Sequence, residues 1–228
     1  ERDLTKALID RRVDGLIIMP AANDHRYVLS EQQAGTSFVF VDRLPMPLLA
    51  DAIVSENRSG ARRAVEHLLR TRRDTIAYFG DDLGIPTARD RYDGFTDALS
   101  SAGLTPDPKL ARHGLRTAEH ARQAASELFA EQRPLAAFTS QNLVTIGVVE
   151  ALHAMGMQQQ VAIVGFDDIP LAGALQPGIT VMAQDPAGVG GLAAERLFAR
   201  LAGDRSPAVV HTVPTRLITR GSGELPLG

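Results

Sequence analysis

Short runs rich in valine, isoleucine and phenylalanine alternate along this chain with longer segments whose apolar residues recur at helical spacing. The runs are Val13–Met19, Phe38–Val41, Thr75–Phe79, Leu135–Thr139, Val161–Phe166 and Ile179–Ala183. A weaker run lies at Ala52–Ser55, and a last one, Val209–Ile218, is broken by Pro214. Between them the pattern predicts helices at Arg26–Ala34, Arg58–Arg70, Ala88–Ala102, Ala118–Glu131, Val144–Met155 and Val189–Ala202. In Arg58–Arg70 the residues Ala61, Ala64, Val65, Leu68 and Leu69 form one apolar stripe, and Asn57 stands before it as an N-cap. Gly103, Gly156 and Gly203 fall where helices should stop, in the left-handed position that glycine tolerates. This alternation predicts an α/β fold with mainly parallel sheets flanked by helices. About eight strands are many for one sheet, which points to two lobes. The chain opens on a helical segment with Leu4, Leu8 and Ile9 on one side and no strand to feed it. An upstream unit of roughly 30 residues is therefore expected.

Composition narrows the classes. Of 228 residues, 44% are hydrophobic and 22% charged, too apolar for a disordered chain. No stretch approaches the roughly 18 consecutive apolar residues of a membrane span, and no signal peptide is seen, so a cytoplasmic protein with no membrane partner is expected. The absence of cysteine excludes disulfides, thiolate zinc sites and cysteine nucleophiles, and fits a reducing compartment. A net charge of −3 argues that this chain does not itself grip nucleic acid, which calls for a basic patch.

In an open parallel sheet, ligands bind beyond the carboxyl ends of the strands. Those ends here are Asp42-Arg43, then Gly80-Asp81-Asp82 with a loop running to Arg91, Thr139-Ser140-Gln141-Asn142, Asp167-Asp168 and Gln184-Asp185. Five strand ends thus carry acids, amides and hydroxyls, which suit the hydroxyls of a small polar solute. Helix capping accounts for any one of them taken alone, Asp42, Asp81 and Asn142 above all. In each of the pairs Asp81-Asp82 and Asp167-Asp168, one side chain is expected to cap and the other to be solvated.

Enzyme signatures fare worse. Gly188-Val189-Gly190-Gly191-Leu192-Ala193 fits G-x-G-x-x-A, but it falls late in the chain with no acidic strand end following it. Those glycines are expected instead to let the helix pack closely on the sheet or on a partner. Phosphate-loop and nucleophile-elbow motifs are absent, and the six histidines form no H-x-x-x-H pair. No catalytic, metal or cofactor site is expected.

Six collinear segments resemble the LacI/GalR family of bacterial transcription repressors. They are Val13-Asp14-Gly15-Leu16-Ile17-Ile18, Phe38-Val39-Phe40-Val41-Asp42-Arg43 and Ala88-Arg89-Asp90-Arg91-Tyr92-Asp93-Gly94-Phe95, then Ile163-Val164-Gly165-Phe166-Asp167-Asp168-Ile169, Met182-Ala183-Gln184-Asp185-Pro186 and Pro214-Thr215-Arg216-Leu217-Ile218-Thr219-Arg220-Gly221-Ser222. The resemblance implies a two-lobed, periplasmic-binding-protein-like core with a small, sugar-like effector in the cleft between the lobes, and a homodimer. It also implies operator DNA as a partner, through a helix-turn-helix headpiece outside this chain. One lobe would hold residues 1–54 plus 179–204 and the other 55–178 plus 207–222, with crossings near Val54, Pro177 and Ser206. Effector contacts carried over from the family fall on Asp42, Thr87, Arg91, Gln141, Asp167 and Gln184. Two departures stand out: Gln141-Asn142 replaces the common Asn-Asp, and Leu115 stands where many relatives place a stacking aromatic. A periplasmic solute-binding protein would share the fold and is the alternative, although the Arg220-Gly221-Ser222 tail resembles the repressor branch.

Overall fold

The computed structural model describes every residue except Asn23, Arg72, Leu227 and Gly228. In chain order its elements are α1 (Arg2–Ile9), β1 (Gly15–Ile18), α2 (Leu29–Gln33), β2 (Ser37–Val41), β3 (Asp51–Ser55), α3 (Asn57–Leu69) and β4 (Ile76–Phe79). There follow α4 (Pro86–Ser101), β5 (Ala111–Arg112), α5 (Ala118–Gln132), β6 (Ala136–Thr139), α6 (Asn142–Ala154) and β7 (Ala162–Phe166). The chain closes with β8 (Thr180–Ala183), α7 (Pro186–Leu201), β9 (Val210–Val213) and β10 (Arg216–Ile218). Only the two-residue β5 has no counterpart in the apolar pattern. Among the described residues no helix is long and apolar enough to cross a membrane.

Two compact units result, the first from Glu1–Glu56 with Asp185–Pro214 and the second from Asn57–Gln184 with Thr215–Gly228. This differs from the division expected from the resemblance. Strand β8 lies in the second unit, where it pairs in parallel with β7, although 179–204 was expected in the first. Strand β9 lies in the first unit beside β3, although 207–222 was expected in the second. Pro214 explains the second difference. It cannot donate to a ladder, and the single apolar run Val209–Ile218 splits there into β9 and β10, which join different sheets.

The first unit holds a parallel sheet in the order β1-β2-β3-β9. Strand β2 shows how its sequence makes two faces. Phe38 and Phe40 join one apolar cluster with Val28 and Ala52, while Val39 joins the other with Ile53, Ala193 and Val213. Alternate residues of a strand point to opposite sides, so a five-residue run serves both layers.

The second unit is a six-stranded sheet in the order β10-β8-β7-β6-β4-β5, parallel except where β10 runs against β8. Its central strands are buried on both faces, which is why they read as unbroken apolar runs. Phe79, Ala137, Ile163 and Val181 face α5 and α6, while Tyr78, Phe138, Val164 and Met182 face α3 and α4. Full burial of each large side chain contributes about 1.5–3 kcal/mol. Glycine sets the helix pairing on both sides. A Cβ on Gly94 of α4 would lie 2.2 Å from the Arg58 carbonyl oxygen of α3, and one on Gly147 of α6 2.1 Å from that of Ala118 at the start of α5.

Candidate functional site

Four neighbouring parallel strands of the second unit, β8, β7, β6 and β4, end along one edge of its sheet, bearing Gln184, Asp167, Ser140-Gln141 and Gly80-Asp81. Pro86 starts α4 at a position where its missing N–H costs nothing. One and a half turns on, this helix supplies Arg91, whose side chain is 7% exposed.

Arg91 organises the site. Its Nε donates to Asn57 Oδ1 at 2.8 Å, and its Nη1 to the Ser140 carbonyl at 2.7 Å and to Asp167 Oδ2 at 3.3 Å. Its guanidinium lies 4.0 Å from the centroid of the Phe166 ring, a cation–π contact that fixes the plane of the fork. No hydrogen bond to Arg91 Nη2 occurs among the described residues. Gln184 Nε2 donates to Asp167 Oδ1, so both carboxylate oxygens are engaged. The ion pair leaves the group nearly neutral in sum. Below it, Tyr78 Oη donates to Ser140 Oγ at 3.1 Å, and burial pushes the Tyr78 phenol up to about 12, keeping it protonated.

The remaining expected contacts divide. Gln141 is the N-cap of α6, accepting from the Leu143 N–H at 3.3 Å, and its Nε2 donates to the Leu115 carbonyl at 3.5 Å. Thr87 is half-buried one turn before Arg91 on α4. Asp42 belongs to the first unit, at the end of β2, where its Oδ2 lies 3.3 Å from Arg43 Nε.

Asp42 and Asp167 share one backbone geometry. Their φ angles are 69° and 70°, in the left-handed region that aspartate tolerates better than most residues. Each N–H donates across to the following strand, Asp42 to the Ile53 carbonyl at 3.0 Å and Asp167 to that of Met182 at 2.9 Å. The turn ends the strand and aims the carboxylate off the sheet edge.

Several expectations from the sequence need correction. Asp42 caps no helix, because β2 is followed by β3 with no helix starting between them. Asn57 and Asn142 are the first residues of α3 and α6 rather than caps before them. In the Asp167-Asp168 pair neither side chain is simply solvated. Asp167 meets Arg91 and Gln184, and Asp168 takes a bidentate bond from Arg220 at 2.7 Å, which holds its carboxyl below the usual range. Gly190 and Gly191 allow no close packing on the sheet, since a Cβ at either would meet open space. Leu115 is buried in the core with Phe79 and Phe129, so it offers no stacking surface. The sequence reading missed Asn57, Phe166 and the Ser140 carbonyl as partners of Arg91. Their one signal was adjacency, each lying beside a strand end or unit boundary already marked by a polar residue.

Among the described residues, no group of three or more histidines and carboxylates could hold a metal ion. A polar cavity of about 210 Å³ in the first unit is lined by Thr36, Ser37, Arg200, Arg205 and Ser206, at the starting ends of β2 and β9. Arg200 there is already spent on Asp51 and on three backbone carbonyls.

Residues 65–223 match the family model of the periplasmic binding protein-like domain. The chain is 28% identical to the ribose operon repressor of Halalkalibacterium halodurans over 96% of this chain and 65% of that protein. It is equally similar, 28%, to the transcriptional regulator MalR of Streptomyces coelicolor, over 97% of this chain and 67% of that one. The chain therefore spans about two thirds of the length of these curated relatives. Among solved structures, a Burkholderia thailandensis protein assigned as a ribose operon repressor superposes with a TM-score of 0.83 at 31% identity, over 96% of this chain and 82% of that one. A complex of the transcriptional regulator CelR with cellobiose gives 0.85 at 26%, over 96% and 69%.

Proposed function

This chain belongs to the periplasmic binding protein-like family, among the LacI-type transcription regulators, and from that premise we propose that it is the effector-sensing core of a DNA-binding repressor. A small, neutral, hydroxyl-rich solute, sugar-like in chemistry, is the effector that the site suits best. The observation that carries this is the Arg91–Asp167 pair at the end of β7: two opposite charges cancel, and the open donors and acceptors around them match hydroxyl groups rather than a net charge. Arg91 Nη2 would donate to a solute oxygen, while Asp167, Gln141, Gln184 and Thr87 would accept from or donate to its hydroxyls. Asp42 of the first unit is proposed as a further contact.

A solute that binds one arrangement of the chain better than another biases it toward that arrangement, and that bias is the proposed signal. Operator DNA would be read by a headpiece outside this chain, consistent with its net charge of −3, and the working form would be a cytoplasmic homodimer. The relatives reported above are transcription regulators, which favours this reading over a periplasmic carrier and over an enzyme.

Calorimetric titration of the 228-residue chain with D-ribose, cellobiose and ribose 5-phosphate tests the proposal. One of the neutral sugars should bind saturably, and Arg91→Ala should weaken it at least about tenfold, the loss of a charge-assisted bond. Binding of ribose 5-phosphate alone, or a neutral-sugar affinity untouched by Arg91→Ala, would refute the assignment of the site.

A further inference from the structure

The backbone passes between the two units at Glu56–Asn57, Gln184–Asp185 and Pro214–Thr215. The residue that the second unit contributes to each passage is Asn57, Gln184 or Thr215, and all three are tied to one array of side chains. Asn57 Oδ1 accepts from Arg91 Nε. Gln184 Nε2 donates to Asp167, whose other oxygen faces Arg91. Thr215 is joined by packing: a Cβ on Gly60 would lie 2.5 Å from Thr215 Oγ1 and 3.1 Å from the Phe166 ring. Thr215 thus shares one glycine notch with the ring on which Arg91 rests. Arg63 fixes it there, donating to Thr215 Oγ1 at 2.8 Å and to its carbonyl at 3.0 Å.

We propose that Asn57 and Gln184 are positioning residues that couple solute contact at Arg91 and Asp167 to the passages between the units. The inference rests on the reading of Arg91 and Asp167 as solute contacts. A guanidinium is a rigid plane, so Nε and Nη1 move together. With one face on Phe166 and Nη1 on the Ser140 carbonyl, Arg91 is confined to small shifts within that plane. Any solute group that draws on its fork therefore also alters the Nε bond to Asn57. A solute hydroxyl that donates to Asp167 likewise competes with Gln184 at Oδ1 or with Arg91 at Oδ2. The array thereby turns a local hydrogen-bond exchange into a change of restraint at two passages directly, and at the third through Phe166. Such a two-arrangement element is what allosteric coupling requires.

The coupling can be read without any solute, by hydrogen exchange and mass spectrometry of peptides covering residues 180–188 and 212–218. Asn57→Ala touches neither segment in sequence. It should speed exchange across 180–188 at least about fivefold, as an opening made easier by one lost restraint, and raise it measurably across 212–218. Asn57→Asp keeps the acceptor for Arg91 and should restore slow exchange, which a merely structural role of the amide would not guarantee. Gln184→Met, which does not alter α3, should reciprocally speed exchange across 55–60. Acceleration confined to the neighbourhood of each substitution would overturn the proposal. A second arm adds D-ribose to the wild-type chain. Protection of all three peptides, lost in Asn57→Ala, supports the coupling, and binding that protects none of them overturns it. If D-ribose does not bind, the sugar reading loses its first candidate and the solute-free comparison alone decides the coupling.

Discussion

Arg91 Nη1 stands 3.3 Å from Asp167 Oδ2, although 76 residues separate the two in sequence. The helix α4 that carries Arg91 and the strand β7 that Asp167 directly follows meet because the sheet orders β7, β6 and β4 side by side. Asp167 is held from two directions and sits at a φ of 70°, so its replacements separate charge from backbone. Asp167→Asn keeps the tolerance for the left-handed turn and one acceptor, and should cost about 1–2 kcal/mol. Asp167→Ala loses both bonds and adds about 1 kcal/mol of backbone strain, for about 2–4 kcal/mol in all. Urea denaturation followed by far-UV circular dichroism would rank them, and equal costs for the two variants would contradict this account.

The glycines of the helices make opposite predictions in two places. Alanine at Gly94 or Gly147 would drive a methyl into a backbone carbonyl of the partner helix, and backbone cannot step aside as a flexible side chain can. Each should destabilise the second unit by about 2–4 kcal/mol. Alanine at Gly190 or Gly191 meets open space inside α7, so helix propensity alone decides, a gain of up to about 1 kcal/mol each. Thermal melts of the four single variants should therefore split into two falls and two rises.

That contrast also marks how far the sequence could be read. The alternation of apolar runs with helical stripes located all strands of four or more residues, because strands buried on both faces leave unbroken apolar signatures, as Ile76–Phe79 and Ala162–Phe166 do. It could not say which sheet a strand joins. Val209–Ile218 is one run by composition, and only the pairing of its halves with β3 and β8 reveals two strands. Glycine is equally mute in one dimension: Gly94 and Gly190 both interrupt helical patterns, and only the neighbouring helix distinguishes contact from space. The strand-end polar residues were legible because loops beyond carboxyl ends must be polar. Asn57 was read as a cap because an asparagine before an apolar stripe ordinarily is one. Its bond to Arg91 depends on the pairing of α3 with α4, which no local pattern encodes.

Asp51 supplies a pH test in the first unit. Its side chain is fully buried. Burial would raise its pKa, but hydrogen bonds from Arg200, the Val209 N–H and Arg196 outweigh that and bring it below the ordinary 3.8. A carboxylate lowered on folding contributes stability that is complete above its unfolded value and disappears as pH falls through the folded one. Asp51→Asn should therefore cost about 3 kcal/mol at neutral pH, since Arg196 and Arg200 lose their buried partner. The gap between wild type and variant should stay constant down to about pH 5 and narrow below about pH 4. Denaturation curves at several pH values would show it, and a gap that widened on acidification would have the wrong sign.

Arg73 is the largest fully buried side chain, and among the described residues it faces no carboxylate. Its Nε donates to the Leu135 carbonyl at 2.9 Å, and its Nη1 to Thr71 Oγ1 at 3.0 Å and to the Leu225 carbonyl at 2.9 Å. Nη2 reaches the Pro226 carbonyl at 3.2 Å. Burial without a counter-charge lowers its pKa, yet an arginine remains charged at any ordinary pH. Among the described residues the cation is held by three carbonyls and the Thr71 hydroxyl, and two of those carbonyls belong to Leu225 and Pro226, with Leu225 packed into the cluster with Val164 and Phe166. Arg73→Met keeps much of the volume but strands those carbonyls, which costs about 2–4 kcal/mol. Ending the chain after Glu224 removes Leu225 and two acceptors while leaving the charge buried. It should destabilise the second unit by a similar amount. Because the two changes break the same contacts, combining them should cost clearly less than the sum of the separate losses. Strict additivity in that cycle would mean that Arg73 and the tail stabilise the unit independently, against the geometry that joins them.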